Sequence, residues 1–147
     1  MANPNRVGSN TQDQFGSYRI AAADTVSLGT AANSVVTLPI LGGGTGGTTE
    51  YIVRRITIHN LTNSAGGTAP SAAIANVSVG TTNDGANLVA SVTKLTNLVN
   101  GLRYVDLTLD ANAASNVYTA NALYLNVTTA VANAAVSVRV YGDVGPF

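Results

Sequence analysis

Short runs in which apolar and polar residues alternate recur along most of this chain. In residues 134–143, for example, Val136, Val138 and Val140 alternate with Ser137, Arg139 and Tyr141. A period of two turns successive side chains to opposite faces of an extended strand, so the pattern predicts half-buried strands in antiparallel sheets. The seven segments with such strand signals are residues 17–29, 33–41, 51–60, 74–82, 103–110, 122–129 and 134–143.

Residues 88–99 are ambiguous, because their apolar spacing also suits a short helix while their Val, Thr and Ser residues favour a strand. Clusters of Gly, Asn, Asp and Thr, which are typical of turns, separate the segments. The count is about eight strands in a chain of single-domain length. We therefore expect an all-β fold, an antiparallel β-sandwich or jelly roll, over residues 17–147. Residues 1–16 lack periodicity and are expected to form an extended N-terminal arm, frayed or ordered on a partner.

The third segment, YIVRRITIHN at residues 51–60, contains two adjacent arginines. By alternation Arg54 shares a face with Ile52, Ile56 and Ile58, while Arg55 lies on the opposite face. If the shared face points inward, Arg54 needs a carboxylate or carbonyl partner, within the subunit or across an interface. If the strand is bulged, Arg54 is merely exposed.

Charge is scarce in this chain. Seven basic and seven acidic residues cancel to a net charge of zero and make up 10% of the sequence, compared with roughly 25% in an average soluble domain. The basic patch that nucleic-acid binding requires is absent, so we expect no nucleic-acid partner. Few charges would need desolvating on association, which makes the surface suitable for assembly.

Several other classes are also disfavoured by the sequence. The chain has no cysteine, which excludes disulfides and thiolate metal sites. No run approaches the roughly 18 apolar residues of a membrane-spanning helix. The first residues lack the apolar run of a signal peptide. We expect neither a membrane partner nor a secretory path.

The glycine-rich loop at residues 42–47 is the most motif-like stretch. A phosphate-binding loop needs glycines followed by Lys and Ser or Thr, and then a helix whose first amides point at the anion. Here no lysine follows, and the next segment has the pattern of a strand. The loop is predicted to connect two strands and not to hold phosphate.

Catalytic groups are sparse. His59 is the only histidine, so one chain cannot build a histidine metal cluster or catalytic dyad, although a trimer would bring three copies together on its axis. Asp106 and Asp110 lie roughly 13 Å apart on an extended strand, beyond the roughly 5–9.5 Å between glycosidase carboxyls. Around Asp84 a single carboxylate is too few for a calcium loop, so a turn is expected. We predict no enzyme, no metal site and no cofactor.

The composition and strand pattern of the C-terminal half resemble those of a known family. The run NALYLNVTTAVANAAVSVRVYGD at residues 121–143, together with YIVRRITIHN and ANVSVGTTNDGANLVA before it, resembles small capsid decoration, or cement, proteins of tailed bacteriophages. The resemblance covers about residues 51–143 and lies in Ala, Asn, Thr and Val-rich strands, not in a catalytic motif. The N-terminal arm and the loop TLPILGGGTGGTT depart from the simplest members.

The resemblance implies a non-enzymatic virion protein. Such β-sandwich or jelly-roll subunits form homotrimers on the outer capsid surface, bind the major capsid protein and stabilise the shell against the pressure of packed DNA. Aromatic residues and Arg dominate interface energetics. The candidate contact residues are Arg6, Phe15 and Tyr18 as anchors of the arm, and Arg54 and Phe147 in contacts between subunits.

Two other functions suit the same fold, since a sandwich alone does not specify function. One is a carbohydrate-binding or adhesin module, for example in a head fibre. The other is a structural domain of the tail or baseplate. Sugar sites usually contain an exposed aromatic platform, and this chain has no Trp. The residues that would supply such a platform are Tyr104, Tyr118, Tyr124 and Tyr141.

Overall fold

The computed structural model describes residues 18–29, 34–40, 50–68, 70–72, 74–84, 86–96, 98, 104–145 and 147. These residues form eight β-strands and no helix, so no helix that could cross a membrane is found among them. The ambiguous residues 88–99 contain a strand. The strands are β1 Tyr18–Ser27, β2 Ser34–Pro39, β3 Tyr51–Asn63, β4 Asn76–Gly80, β5 Leu88–Lys94, β6 Tyr104–Asp106, β7 Ala122–Thr129 and β8 Ala134–Val144.

The strands form two four-stranded antiparallel sheets. The first sheet has the order β1-β8-β3-β6 and the second β2-β7-β4-β5. The outer pairs are β1 with β8 and β3 with β6 in the first sheet, and β2 with β7 and β4 with β5 in the second. These are the successive strand pairs of one long hairpin, divided alternately between the two sheets. This is the strand order of a jelly roll. The predicted all-β sandwich is therefore confirmed. The predicted arm, residues 1–16, lies outside the described residues.

The core lies between the two sheets and follows the alternation in the sequence. On β7 the inward residues are Leu123, Leu125 and Val127, all fully buried. Val136, Val138 and Val140 of β8, in the other sheet, belong to the same core. β-Branched and leucine side chains at every second position can fill this space because each strand presents one face to it. Burial of this apolar surface is the main favourable contribution to folding.

The alternation expected for β3 is wrong in its first half. Val53 pairs with Gly142, but Arg55 pairs with Tyr141, so Arg54 is the extra residue of a β-bulge. Because of the extra residue, the inward and outward positions before the bulge are the reverse of those expected from alternation. Tyr51 and Val53, predicted to lie on the opposite face, therefore belong to the core together with the residues at positions 56 and 58. Ile52, predicted to share a face with positions 56 and 58, is buried at 8% exposure but lies outside this core cluster.

Turn predictions hold where the structure describes them. At residues 63–68, the Asn63 side chain accepts from the Ala65 N–H and donates to the Thr68 carbonyl, both at 2.9 Å. The Asp84 carboxylate accepts from Thr82 Oγ1 at 2.6 Å and from the Ala86 N–H at 3.0 Å. Both bonds lower the pKa of Asp84, and the bond from Thr82 has the larger effect. The glycine loop, residues 42–47, lies outside the described residues.

Candidate functional site

A shallow pocket opens on the outer face of the first sheet, across β6, β3 and β8. Its volume is about 390 Å³. Beyond the bulge at Arg54, alternate residues of β3 point outward, and the neighbouring strands supply side chains on both sides of them. The lining residues are Arg55, Thr57, His59, Tyr104, Asp106 and Tyr141.

Strand register brings these side chains together. On one side of β3, Tyr104 pairs with His59 and Asp106 pairs with Thr57. On the other side, Tyr141 pairs with Arg55. Directly paired residues in an antiparallel sheet place their Cβ atoms about 4.5–5.5 Å apart on the same face. The pocket is thus built from paired positions on three adjacent strands.

Two contacts order the pocket. The Arg55 guanidinium carbon lies 4.7 Å from the centroid of the Tyr141 ring, a cation–π arrangement. Thr57 Oγ1 donates a hydrogen bond of 2.6 Å to Asp106 Oδ1. The Tyr104 side chain is 62% exposed, so its ring is open to solvent. The site therefore combines an exposed ring with fixed hydrogen-bond donors and acceptors, an arrangement suited to binding.

Only two of the four tyrosines predicted for an aromatic platform meet in this pocket, namely Tyr104 and Tyr141. Tyr118 instead stacks on Tyr51, with ring centroids 5.9 Å apart. Tyr124 lies on β7 in the second sheet. The sequence did not single out Arg55 or Thr57 for this site, because their convergence depends on the pairing of strands that are distant in the chain.

An ion pair between Arg139 and Asp24 lies beside the pocket on the same sheet. Arg139 of β8 donates to Asp24 Oδ1 of β1 at 2.6 Å and to the Ala23 carbonyl at 3.1 Å. Hydrogen bonds from Arg139, and then from Ser137, lower the pKa of the exposed Asp24 carboxyl. Charged residues of both signs therefore populate the outer face of the first sheet.

The outer face of the second sheet is different. On β2, β7 and β4 the residues between the core positions are small or polar and uncharged, with one tyrosine. The edge strand β5 adds two exposed apolar residues and a single charge, Lys94. The residues between the core positions of the three strands are Val35, Thr37, Pro39, Tyr124, Asn126, Thr128, Asn76, Ser78 and Gly80. Those of β2 are exposed, those of β7 and Asn76 are partly buried, and Ser78 and Gly80 are buried.

The predicted contact residues are scattered. Arg6 and Phe15 lie outside the described residues. Tyr18 begins β1 and is 41% exposed, and Phe147 near the end of β8 is 57% exposed. The Phe147 N–H donates to Glu50 Oε2 at 2.9 Å, which holds this residue beside the start of β3. Both aromatic rings are thus available at the surface.

Arg54, the fifth predicted contact residue, is both bulged and paired. Its Nε donates to Asp143 Oδ2 at 2.8 Å, and its Nη1 donates to the carbonyl of Ala114. Asp143 is only 6% exposed. The structure combines parts of the two alternatives for Arg54, because the strand is bulged and yet Arg54 has partners inside the subunit.

No protein-family model, curated protein or solved structure matches this chain. The role in capsid decoration accordingly stays a prediction from the composition and strand pattern of the sequence.

The remaining acids and the histidine do not form a cluster in the described part of the chain. The Asp106 carboxylate accepts from Thr57, whereas Asp110 follows β6 in a turn in which its backbone carbonyl accepts from the Ala113 N–H. His59 lies at the pocket. No three His, Asp or Glu side chains among the described residues are placed to hold one metal ion.

Proposed function

We propose that this protein is a non-enzymatic structural subunit of a virion, a decoration protein on the outer capsid surface of a tailed bacteriophage. In this role it binds the major capsid protein as a homotrimer and stabilises the shell against internal DNA pressure. The observation that carries the proposal is the uncharged outer face of the second sheet. It supplements the sequence resemblance and the jelly-roll strand order.

An uncharged sheet face is well suited to permanent contact. Burying a charged group at an interface has a desolvation cost that its new partner must offset. On β2, β7 and β4 the residues between the core positions are uncharged, and all but Tyr124 are short. A neighbouring subunit that packs on the exposed β2 residues Val35, Thr37 and Pro39 therefore avoids that cost. The first sheet, with Arg139, Asp24 and its pocket, is less suitable for such contact and better suited to face solvent.

Exposed aromatic rings supply anchors at the periphery. Tyr18 and Phe147 keep 41% and 57% of their surface exposed in the single chain. Burying such rings contributes strongly to interface energy. Tyr18 also lies two residues after the end of the predicted arm, residues 1–16, so the arm would extend contacts from the start of β1. Closed three-fold symmetry would join two different, complementary patches of adjacent subunits and cover surfaces that a monomer leaves exposed.

The proposal is tested by sedimenting the purified protein alone and with capsids that lack it. We expect a trimer that co-sediments with capsids at saturating, lattice-like stoichiometry. Capsids carrying the protein should also withstand heating better than bare capsids. A monomer that does not co-sediment with capsids would contradict the proposal. Binding to tails, but not to heads, would instead identify a tail or baseplate component.

Two variants sharpen this test. Thr37→Glu places a charge on the uncharged face, and we expect it to weaken trimer formation or capsid attachment by about tenfold or more. Thr119→Glu adds the same charge at an exposed threonine outside the strands and serves as the control. Equal effects of the two substitutions would show that the uncharged face is not a contact surface.

A further inference from the structure

We propose that the pocket on the first sheet binds a neutral pyranose ring of a glycan. This site goes beyond capsid decoration and does not depend on it. It gives a location to the carbohydrate-binding alternative predicted from the sequence. The juxtaposition of an exposed tyrosine, an ordered carboxylate and a stacked arginine carries the inference.

The exposed ring supplies the apolar contact. A pyranose presents C–H groups on one face and hydroxyl groups around its edge. An aromatic side chain buries such a face effectively, because it is large, rigid and flat. Tyr104 is the exposed ring of the pocket, whereas Arg55 lies over Tyr141. Tyr104 is therefore the stacking residue, and Tyr141 holds the arginine in place.

The polar residues match the edge of a sugar. Each sugar hydroxyl both donates and accepts, so adjacent hydroxyls are best bound by one acceptor and one donor side by side. The Asp106 carboxylate accepts from Thr57 through Oδ1 and has further lone pairs for ligand hydroxyls. The Arg55 guanidinium presents several N–H donors. Hydrogen bonds to charged groups are the stronger kind.

Charge balance selects a neutral ligand. Besides the imidazole of His59, the charged groups that line the pocket are one guanidinium, Arg55, and one carboxylate, Asp106. An anionic sugar would gain from the arginine and be repelled by the carboxylate, and a cationic ligand would experience the reverse. A neutral ring uses both groups without an unpaired charge.

The pocket is also preorganised. Its side chains stand on strands paired in register, and rigid elements position a binding site more accurately than loops do. Its volume of about 390 Å³ lies in the lower part of the range for small-molecule sites, which is about 300–1,000 Å³. One sugar ring and part of a second fit that size. Because the pocket is shallow, we expect weak binding to one ring, which would gain from multivalency wherever several copies are displayed together.

The test uses the full chain and defined probes. Saturation-transfer NMR with the methyl glycosides of glucose, galactose, mannose and N-acetylglucosamine, followed by calorimetry, measures binding of single neutral rings. We expect saturable binding of at least one glycoside, with a Kd of about 1 mM or below. Sialyllactose serves as the anionic comparison.

Variants connect the binding to the pocket. Tyr104→Ala and Asp106→Asn should each raise the Kd by about tenfold. Tyr104→Phe keeps the ring and should stay within about threefold of the parent. Tyr18→Ala removes an exposed tyrosine from the same sheet outside the pocket and should leave the Kd unchanged. Circular dichroism confirms that each variant folds.

Three results would overturn the inference: no binding of any neutral glycoside, preferential binding of sialyllactose, or a Kd that Tyr104→Ala leaves unaltered. These results are distinguishable from failure of the capsid role, because capsid co-sedimentation is measured separately on the same variants. Tyr104→Ala should retain capsid attachment.

Discussion

Arg54 and Asp143 form an ion pair that joins β3 to β8 at a bulge. Arg54 Nε lies 2.8 Å from Asp143 Oδ2, although 89 residues separate the two in the chain. Arg54 also donates to the carbonyl of Ala114. One guanidinium therefore holds two strands of the first sheet and the turn before β7.

Removing this guanidinium should destabilise the subunit. Arg54→Ala leaves the nearly buried Asp143 carboxylate without this cation, and we expect the free energy of unfolding to fall by about 2 kcal/mol, measured by urea denaturation. Arg55→Ala, on the exposed face of the same strand, is the control and should cost less than about 1 kcal/mol. If Arg54→Ala left stability unchanged but dissociated the trimer, Arg54 would act between subunits, as the sequence analysis predicts.

Gly142 allows the bulged strand to approach. A Cβ at this position would lie 1.8 Å from the Ile52 carbonyl oxygen and 2.7 Å from Ile20 Cδ1. Gly142→Ala must therefore push β3 and β8 apart, and we expect a loss of more than about 3 kcal/mol or insoluble protein. Gly66→Ala is the contrast. It has open space but a φ of +86°, so it should cost only about 1 kcal/mol. Equal losses for both variants would contradict this account.

The bulge also shows which part of the fold the sequence could predict. On β7 and β8 the positions of Leu125 and Val138 followed from alternation, because period two carries the inward face along an uninterrupted strand. On β3 the extra residue at Arg54 reversed the phase, so Ile52 was placed on the wrong face. A single inserted residue does not change the composition recognisably, so the bulge could not be predicted from the sequence.

The pocket could not be predicted for a different reason. Its residues come from three strands, and their convergence depends on pairing register. Tyr104 and Tyr141 were recognised as candidate platform residues, but nothing local indicates that they flank the same strand while Tyr118 packs on Tyr51. The sequence thus supplied residue types, and tertiary pairing determined which of them share a site.

Tyr51 should make stability depend on alkaline pH. Its ring is fully buried, and its hydroxyl donates to the Ala120 carbonyl at 3.0 Å. Burial, and then the nearby Tyr118, raise the pKa of Tyr51 above its ordinary value of 10.0. A raised pKa in the folded state means that the associated stability is fully present below pH 10.0 and is lost as pH rises further.

Tyr51→Phe tests this dependence. At neutral pH the free energy of unfolding of the variant should be about 1 kcal/mol lower than that of the parent, because the Ala120 carbonyl loses its hydrogen-bond donor. Above pH 10 the deficit should shrink, since phenylalanine has no proton to lose. Urea titrations across this range measure the difference, with Tyr104→Phe as a control at an exposed tyrosine. A deficit that stays constant with pH would contradict the assignment.

Thr25 is a strained position on β1. Its φ is 56°, in the left-handed region, within the bulge that also carries Asp24. A β-branched residue there is unfavourable, whereas asparagine tolerates it. Thr25→Asn should therefore raise the free energy of unfolding by about 0.5–1 kcal/mol in urea titrations. The reciprocal variant Asn133→Thr, at an exposed asparagine with a φ of 60°, should lower it by a similar amount. Changes of the same sign in both variants would show that side-chain contacts, and not backbone conformation, dominate at these positions.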